Sequence, residues 1–381
     1  MPGILKTLIL KKVSELKRTL SLWLIFVFIL SQMPTAHAVG TSASCAILME
    51  AESGRVLYEH NAHQPRLIAS ITKLMTALVA LESGFDLQRP VTVPEEAIGV
   101  EGSSVYLQQG EQVTGEMLLY GMLLKSGNDA ATALAYLCAD SLDSFAELMN
   151  RKAARLGMKN SHFENPHGLN EEGHYSSAYD MALLARACLQ NKTLAGIVSA
   201  KYASFGSRSF RNHNKLLWNY EGCIGLKTGY TEKAGRTLVS AAEKNGMTLI
   251  AVTLNAPDDW NDHAALYNWG FQTFTMVEVT QEGAVWGRVP VSGGLTPFVS
   301  AAASESLRYP LKADDRPELG MRWNTQIAAA PVEAGSILGT LYMICNGQPA
   351  GEIPLTAVQT VHRDLAPEKQ GVERFLHNLF F

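Results

Sequence analysis

The chain has 381 residues, 47% hydrophobic and 18% charged, with a formal net charge of −4. This is ordinary globular composition, and the length predicts two domains. An acidic balance without a basic run speaks against nucleic acid as a partner.

The first 38 residues stand apart. Five basic side chains (Lys6, Lys11, Lys12, Lys17, Arg18) and one acid (Glu15) precede and flank an apolar run, Leu20 to Leu30, which is followed by Ala36-His37-Ala38. Basic, apolar, then small is the order of a secretory signal. The apolar run is well short of the roughly 20 residues that a spanning helix needs, so cleavage after Ala38 is expected rather than retention as an anchor. Cleavage leaves 27 basic and 35 acidic side chains, a charge of about −8. Cys45 does not follow the Leu-small-small triplet of a lipoprotein; Ser42-Ala43-Ser44 stands there. The five cysteines (Cys45, Cys138, Cys188, Cys223, Cys345) are widely spread and include no C-x-x-C. That pattern argues against a close-spaced metal site and a disulfide-dense scaffold. One disulfide is open to an exported chain, and most of the five read as buried small apolar residues.

In chain order, Ala46 to Met49 and Val56 to Tyr58 flank a polar turn containing Gly54 and read as a β-hairpin. Ser70-Ile71-Thr72-Lys73 opens an apolar run, Leu74 to Leu81, that predicts a buried helix. Positions i and i+3 share a helix face, so the Ser70 hydroxyl and the Lys73 amine point the same way. Pro90 to Pro94 is extended and Gly99 to Gly110 is loop-rich. Helices are expected at 113–124, 129–138, 144–156 (stopped by Gly157) and 177–189, with Ser176 or Ser177 as a cap. Asn165-Pro166-His167-Gly168 is a turn cluster. The period then changes to strands at 223–230, 236–243 and 247–255, with Asn245-Gly246 as a hairpin signal, and a helix follows from Asp262 to Phe274. Helices between an early hairpin and a late meander predict an α+β fold, an antiparallel sheet covered by helices.

From about Met276 short alternating runs lie between Gly and Pro breaks, which predicts a small all-β domain. The tail from Glu368 turns helical in pattern. Val372, Phe375, Leu376, Leu379 and Phe380 form one apolar stripe. Too short to span a bilayer, it suits a membrane interface or the protein's own surface; the membrane surface is the expected partner. The domain reading is thus 1–38 signal peptide, 39–275 catalytic domain, 276–362 all-β domain and 363–381 C-terminal amphipathic helix.

S-x-x-K alone is a weak signal. Ser126-Gly127-Asn128 between two helices and Lys227-Thr228-Gly229 on a strand are equally weak singly. Together they supply what a serine nucleophile needs: a base, charge stabilisation and a hold on the substrate. Lys73, desolvated and crowded by Lys227, would have a lowered pKa and act as a neutral base. Ser126 could relay a proton, Asn128 could hold a substrate amide, Lys227 and Thr228 could bind a carboxylate, and Gly229 would let a substrate lie close to the strand.

S-x-x-K, S-x-N and K-T-G in this order resemble the penicilloyl-serine transferases, the family of penicillin-binding proteins and serine β-lactamases. The wider stretches 67–76, 126–130, Asn165-Pro166-His167-Gly168-Leu169 and Lys227-Thr228-Gly229-Tyr230-Thr231 look like a low-molecular-weight D-alanyl-D-alanine carboxypeptidase. The resemblance runs to about Phe274, and the β domain and tail match that family's layout less specifically. It implies a β-lactamase/transpeptidase-like fold and a peptidoglycan stem peptide ending in D-Ala-D-Ala as substrate. It also implies covalent capture of β-lactam antibiotics, an exported enzyme in the cell envelope and no metal or cofactor. By the same resemblance Ser70 attacks with Lys73 as base, and Ser126 passes the proton to the leaving D-alanine. The backbone N–H groups of Ser70 and Tyr230 form the oxyanion hole, and Lys227 with Thr228 holds the carboxylate.

Other readings compete. His167 with Asp180 invites a Ser-His-Asp arrangement, although lysine already fills the base role. Arg236 reads as carboxylate-binding or as a solvated strand-start charge. Asp258, Asp259 and Asp262 read as a cation site or as a helix cap. A class A β-lactamase deacylates with a glutamate in an E-x-x-L-N segment; here Pro166 stands where that glutamate would precede Leu169-Asn170, so slow release of penicillin is expected. A non-catalytic cell-wall binding protein and a transpeptidase are the remaining alternatives.

Overall fold

The computed structural model describes residues 39–364; the signal segment and the apolar stripe of the tail lie outside them. Strands β1 (Cys45–Glu50) and β2 (Val56–His60) form the expected antiparallel hairpin. A 3-10 turn, Ala69–Thr72, leads into helix α1 (Lys73–Glu82). The short strands β3 (Pro90–Thr92) and β4 (Gln112–Thr114) pair. Helices α2 (Gly115–Leu124), α3 (Asn128–Cys138), α4 (Leu142–Arg155), α5 (Ala178–Gln190) and α6 (Lys192–Ser199) follow. Next come a hairpin, β5 (Tyr202–Phe205) and β6 (Arg208–Arg211), and a single turn, α7 (Leu216–Asn219). The meander β7 (Cys223–Thr231), β8 (Gly235–Lys244) and β9 (Met247–Leu254) then leads to α8 (Asp259–Thr273).

Side-chain caps set several helix starts away from their expected positions. Thr114 accepts from Met117 N, so α2 begins at Gly115 rather than Val113. Ser141 accepts from Ser144 N and starts α4 at Leu142. Ser177 caps α5 by accepting from Asp180 N. Helix α8 begins three residues before Asp262, whose carboxylate is taken by the Ser42 N–H and hydroxyl at 2.8 and 2.7 Å. Helix α6 and the β5–β6 hairpin were not anticipated.

The five-stranded sheet runs β2-β1-β9-β8-β7 and every pair is antiparallel. Both faces of β1 are covered, which is why it reads as a continuous apolar run. Cys45, Ile47 and Met49 join Ile250, Val252 and the helices α1–α5 in the main core. On the other face Leu48 and Leu249 pack against α8 at Gly270, where a Cβ would sit under 3 Å from each. Between β8 and β9, Asn245 and Gly246 both adopt positive φ (52° and 71°), the signature of a tight I′ hairpin turn. Strand β7 is an edge, and that open edge matters for the site.

After α8 the chain is all β, as expected. Strands β10 (Thr275–Thr280) and β13 (Leu307–Leu311) pair together. A six-stranded sheet is built from β11 (Val285–Ser292), β12 (Phe298–Ala303), β14 (Pro317–Trp323), β15 (Ala328–Ala329), β16 (Ile337–Cys345) and β17 (Gln348–Ala357). It has its own core around Val299, Leu341 and Leu355, and pairing continues to Arg363, which bridges Gly294. Arg55, from the β1–β2 turn, ties the two regions together. Its guanidinium donates to Asp315 at 2.6 and 2.9 Å and to the Pro310 carbonyl at 2.6 Å, between the rings of Phe274 and Tyr309. Among the described residues all five cysteines are free, and no helix is long and apolar enough to cross a membrane.

Candidate active site

Ser70 lies in the 3-10 turn and Lys73 is the first residue of α1, a small departure from the single helix expected. With three residues per turn, a 3-10 segment eclipses i and i+3, and Lys73 Nζ sits 2.9 Å from Ser70 Oγ. Lys73 is fully buried. Its amine also donates to Asn128 Oδ1 at 2.6 Å and to the His167 carbonyl at 2.7 Å. Ser70 is half-buried and opens onto a cavity of about 290 Å³.

The segment that presents the His167 carbonyl is anchored through hydroxyls of the 3-10 turn and α1. Thr72 Oγ1 donates to the Ala69 carbonyl at 2.8 Å, so it accepts from His174 Nε2 at 2.8 Å, while His174 Nδ1 accepts from Glu164 N. One turn on, Thr76 Oγ1 donates to the Pro166 carbonyl at 2.6 Å. Inside the turn Asn165 Oδ1 accepts from Gly168 N at 2.7 Å. Gly168 has φ +86°, and a Cβ there would overlap the Ala69 carbonyl oxygen. Gly168→Ala should therefore cost about 3 kcal/mol, combining backbone strain with overpacking. Urea unfolding checks this; a loss under about 1 kcal/mol would show that the turn yields freely.

The imidazole of His167 plays no part in this hold. Its Nδ1 accepts from Leu169 N at 3.3 Å, and burial, with Lys73 beside it, pushes the ring down to about 3. Asp180, the acid of the alternative triad, accepts from Asn160 N and Ser161 Oγ at 2.7 Å each. The Ser-His-Asp reading has no geometry here.

Ser126 occupies the turn between α2 and α3 with φ +66°, an uncommon conformation for a residue with a Cβ. It lines the same cavity as Ser70. Asn128 opens α3, and its Nδ2 donates to the Glu101 carbonyl at 2.5 Å. Beside it, the Asp129 carboxylate accepts from Ser104 Oγ at 2.6 Å and from the N–H groups of Val105 and Leu107 at 3.0 and 3.2 Å. That anion fixes the loop whose Ser103 lines the cavity. An acid in the first turn of a helix directly after S-x-N was the available sequence signal for it.

The third segment is the open edge of β7. Lys227 is 1% exposed and donates to the Thr228 carbonyl at 2.8 Å. Thr228, Gly229 and the exposed Tyr230 line the cavity. A Cβ on Gly229 would stand 2.9 Å from Ser70 N, so only glycine lets the strand approach the turn this closely. Thr237 Oγ1, on β8, donates to the Ile68 carbonyl at 2.9 Å and locks the sheet to the turn.

Two buried amines thus lie within electrostatic reach of each other, one of them 2.9 Å from the Ser70 hydroxyl. Burial first, then the charge of Lys227, holds Lys73 well below the usual lysine value, with Asp129 opposing. Burial lowers Lys227 to about 7. Desolvation disfavours the charged form of a base, so this environment favours a neutral Lys73.

The cavity rim adds residues that spacing did not single out. His213 and Lys215 come from the segment before β7, and Trp260 from α8. Burial, then Lys227 and Lys125, lowers His213 to about 4. Arg236 is not a bare solvated charge: it donates to Asp259 at 2.7 Å, lies 5.5 Å over the Trp260 ring and faces the cavity. Asp259 is accordingly half of an ion pair, and no group of three or more His, Cys, Asp or Glu among the described residues is arranged for a metal.

Known proteins resemble this chain over most of its length. A family model described as D-alanyl-D-alanine carboxypeptidase matches residues 32–258, and one described as penicillin-binding protein 5, C-terminal domain, matches residues 274–363. The D-alanyl-D-alanine carboxypeptidase DacF of Bacillus subtilis is 32% identical over 91% of this chain and 95% of its own length. DacA of Escherichia coli is 33% identical over 84% and 83%. The crystal structure of penicillin-binding protein 5 from Haemophilus influenzae superposes with a TM-score of 0.75 at 29% identity, covering 86% of this chain and 99% of that one. The chain belongs to the D-alanyl-D-alanine carboxypeptidase family.

Proposed function

We propose that Ser70 is the nucleophile of this D-alanyl-D-alanine carboxypeptidase and Lys73 its general base. The observation that carries the assignment is the set of three contacts on one buried nitrogen. A neutral amine has two N–H groups and one lone pair. Asn128 Oδ1 and the His167 carbonyl can only accept, at 2.6 and 2.7 Å. They take the two N–H groups, and the lone pair is left for the Ser70 O–H at 2.9 Å.

The substrate strand adds to the open edge of β7, as peptides add to sheet edges. Lys227 and Thr228 hold its terminal carboxylate. The second N–H of the Asn128 amide, whose first goes to Glu101, is available to a substrate carbonyl. Ser70 Oγ attacks the carbonyl of the penultimate D-alanine while its proton passes to Lys73. The oxyanion is met by the N–H groups of Ser70 and Tyr230. The proton then moves through Ser126 to the leaving nitrogen, the C–N bond breaks and D-alanine departs, leaving an ester on Ser70. Water hydrolyses that ester. No step calls for a metal or cofactor.

In this reading residues 1–38 are removed on export, 39–275 form the catalytic domain, 276–362 the β domain, and 363–381 a tail that lies on the membrane surface. The enzyme then acts on peptidoglycan stem peptides in the cell envelope, on the outer face of the cytoplasmic membrane. Support comes from the charge and apolar order of the two ends and from the match of the β region to the penicillin-binding protein 5 C-terminal domain.

Deacylation separates this activity from a β-lactamase. Pro166 offers no carboxylate, and the His167 carbonyl is already taken by Lys73. A fluorescent penicillin should give a covalent band on a denaturing gel that persists for minutes or longer. Rapid turnover with no stable band would instead identify a β-lactamase. Incubating the mature enzyme with a stem pentapeptide should release D-alanine stoichiometrically; binding without release would favour a non-catalytic wall-binding protein.

A further inference from the structure

Beside the cavity mouth lies a basic and aromatic surface that the mechanism above does not use. Tyr202, at the start of β5, is 61% exposed and meets the Trp218 ring edge-on at 5.8 Å. The Arg211 guanidinium lies 5.0 Å from the Trp218 ring and 5.9 Å from Tyr202, and Lys201 Nζ lies 6.0 Å from Trp218. Lys201, Arg211 and the cavity-lining Lys215 are all exposed, and among the described residues none of them has an ion-pair partner. Glu221, the acid nearest to them in sequence, pairs with none of them, and Glu111 is taken by Arg208 of the same hairpin. Three residues separate Arg211 from Lys215, and one of them, His213, lines the cavity with Lys215, so the surface runs directly into the active-site rim. In a mature chain carrying about −8, this cluster is a local reversal of sign.

Unpaired cations held over aromatic faces present a flat apolar platform rimmed by positive charge. Its complement is a polymer that offers both apolar sugar faces and carboxylates. We propose that Lys201, Tyr202, Arg211 and Trp218 form a second binding site for the acidic glycan–peptide strand that carries the scissile D-Ala-D-Ala. This rests on the peptidoglycan reading above and adds to it: the enzyme grips polymer outside the cleft and so distinguishes strand-borne stem peptides from free ones. Positive potential at a cleft mouth also raises the encounter rate of a strand bearing many carboxylates far more than that of a singly charged peptide, and salt screens that gain beyond about 8 Å at physiological ionic strength.

The test compares two substrates on the mature full-length enzyme and on K201E/R211E, with Tyr202→Ala as a second variant. One substrate is soluble uncross-linked glycan strand bearing pentapeptides; the other is an N-acylated tripeptide ending in D-Ala-D-Ala. On the strand, kcat/KM should fall about tenfold in K201E/R211E at low salt, with the difference shrinking as salt rises, and Tyr202→Ala should lower it several-fold at all salt concentrations. On the tripeptide both variants should match the parent, which also reports that they fold. Equal losses on both substrates, or no loss on the strand, would overturn the proposal. If the parent releases D-alanine from neither substrate, the carboxypeptidase reading fails instead, and the two failures are distinguishable.

Discussion

Ser70→Ala should lower D-alanine release by about 10⁴-fold or more and abolish covalent penicillin binding, because nothing else beside Lys73 can form the ester. The change removes one hydroxyl from a half-buried position. Lys73 keeps its contacts with Asn128 and His167, so the unfolding midpoint should barely move. Noncovalent affinity for the pentapeptide should survive, since Thr228, Gly229 and the buried Lys227 are untouched. The checks are a coupled D-alanine assay, a gel with fluorescent penicillin and binding calorimetry on one preparation. Residual activity within tenfold of the parent would place the nucleophile elsewhere.

Lys73→Gln should be nearly as severe, about 10³-fold or more in acylation, because an amide cannot take the Ser70 proton. The pH profile of the parent then separates the two amines. Lys73, depressed well below the usual lysine value, must be neutral, so activity is lost on the acid side as it protonates. Lys227, lowered to about 7, must be charged to hold a carboxylate, so kcat/KM for the free enzyme falls on the alkaline side, beginning near neutrality. A bound carboxylate favours the ammonium form, so the same limb should move to higher pH in kcat.

Stability follows with its own sign. Both lysines have folded-state values below their unfolded value, so the unfolded chain binds more protons and stability rises with pH. For Lys227 that window lies between about 7 and the ordinary 10.5. Lys227→Met should therefore be stabilising near pH 7, and its advantage should shrink as pH approaches 10. An advantage that grew with pH would contradict a buried, neutralising amine.

Much of this arrangement was legible because its signals are local. Ser70 and Lys73 meet whether the segment is α or 3-10, since either places i+3 beside i. Alternation and the Asn245-Gly246 pair were enough to mark the meander from Cys223 to Leu254. What spacing could not show depends on partners distant in sequence. Arg236 and Asp259 are 23 positions apart and meet only because the start of β8 lies against the start of α8. His167 drew notice for its ring, whereas the atom facing Lys73 is its carbonyl, an identity that no side-chain pattern encodes. The β5–β6 hairpin was missed because two four-residue strands around Gly206-Ser207 carry little periodicity. It nonetheless steadies the site, through Arg208 bonded to Glu111 and to the Val105 and Tyr106 carbonyls.

Three separated segments converge around the Ser70 hydroxyl, and its oxygen can be located chemically as the nucleophile. Mass spectrometry of the mature protein after penicillin treatment and proteolysis should find one adduct, at one equivalent, on the peptide containing Ser70, with Ser126 unmodified. An adduct on any other peptide, or no adduct from an enzyme still able to release D-alanine, would contradict it.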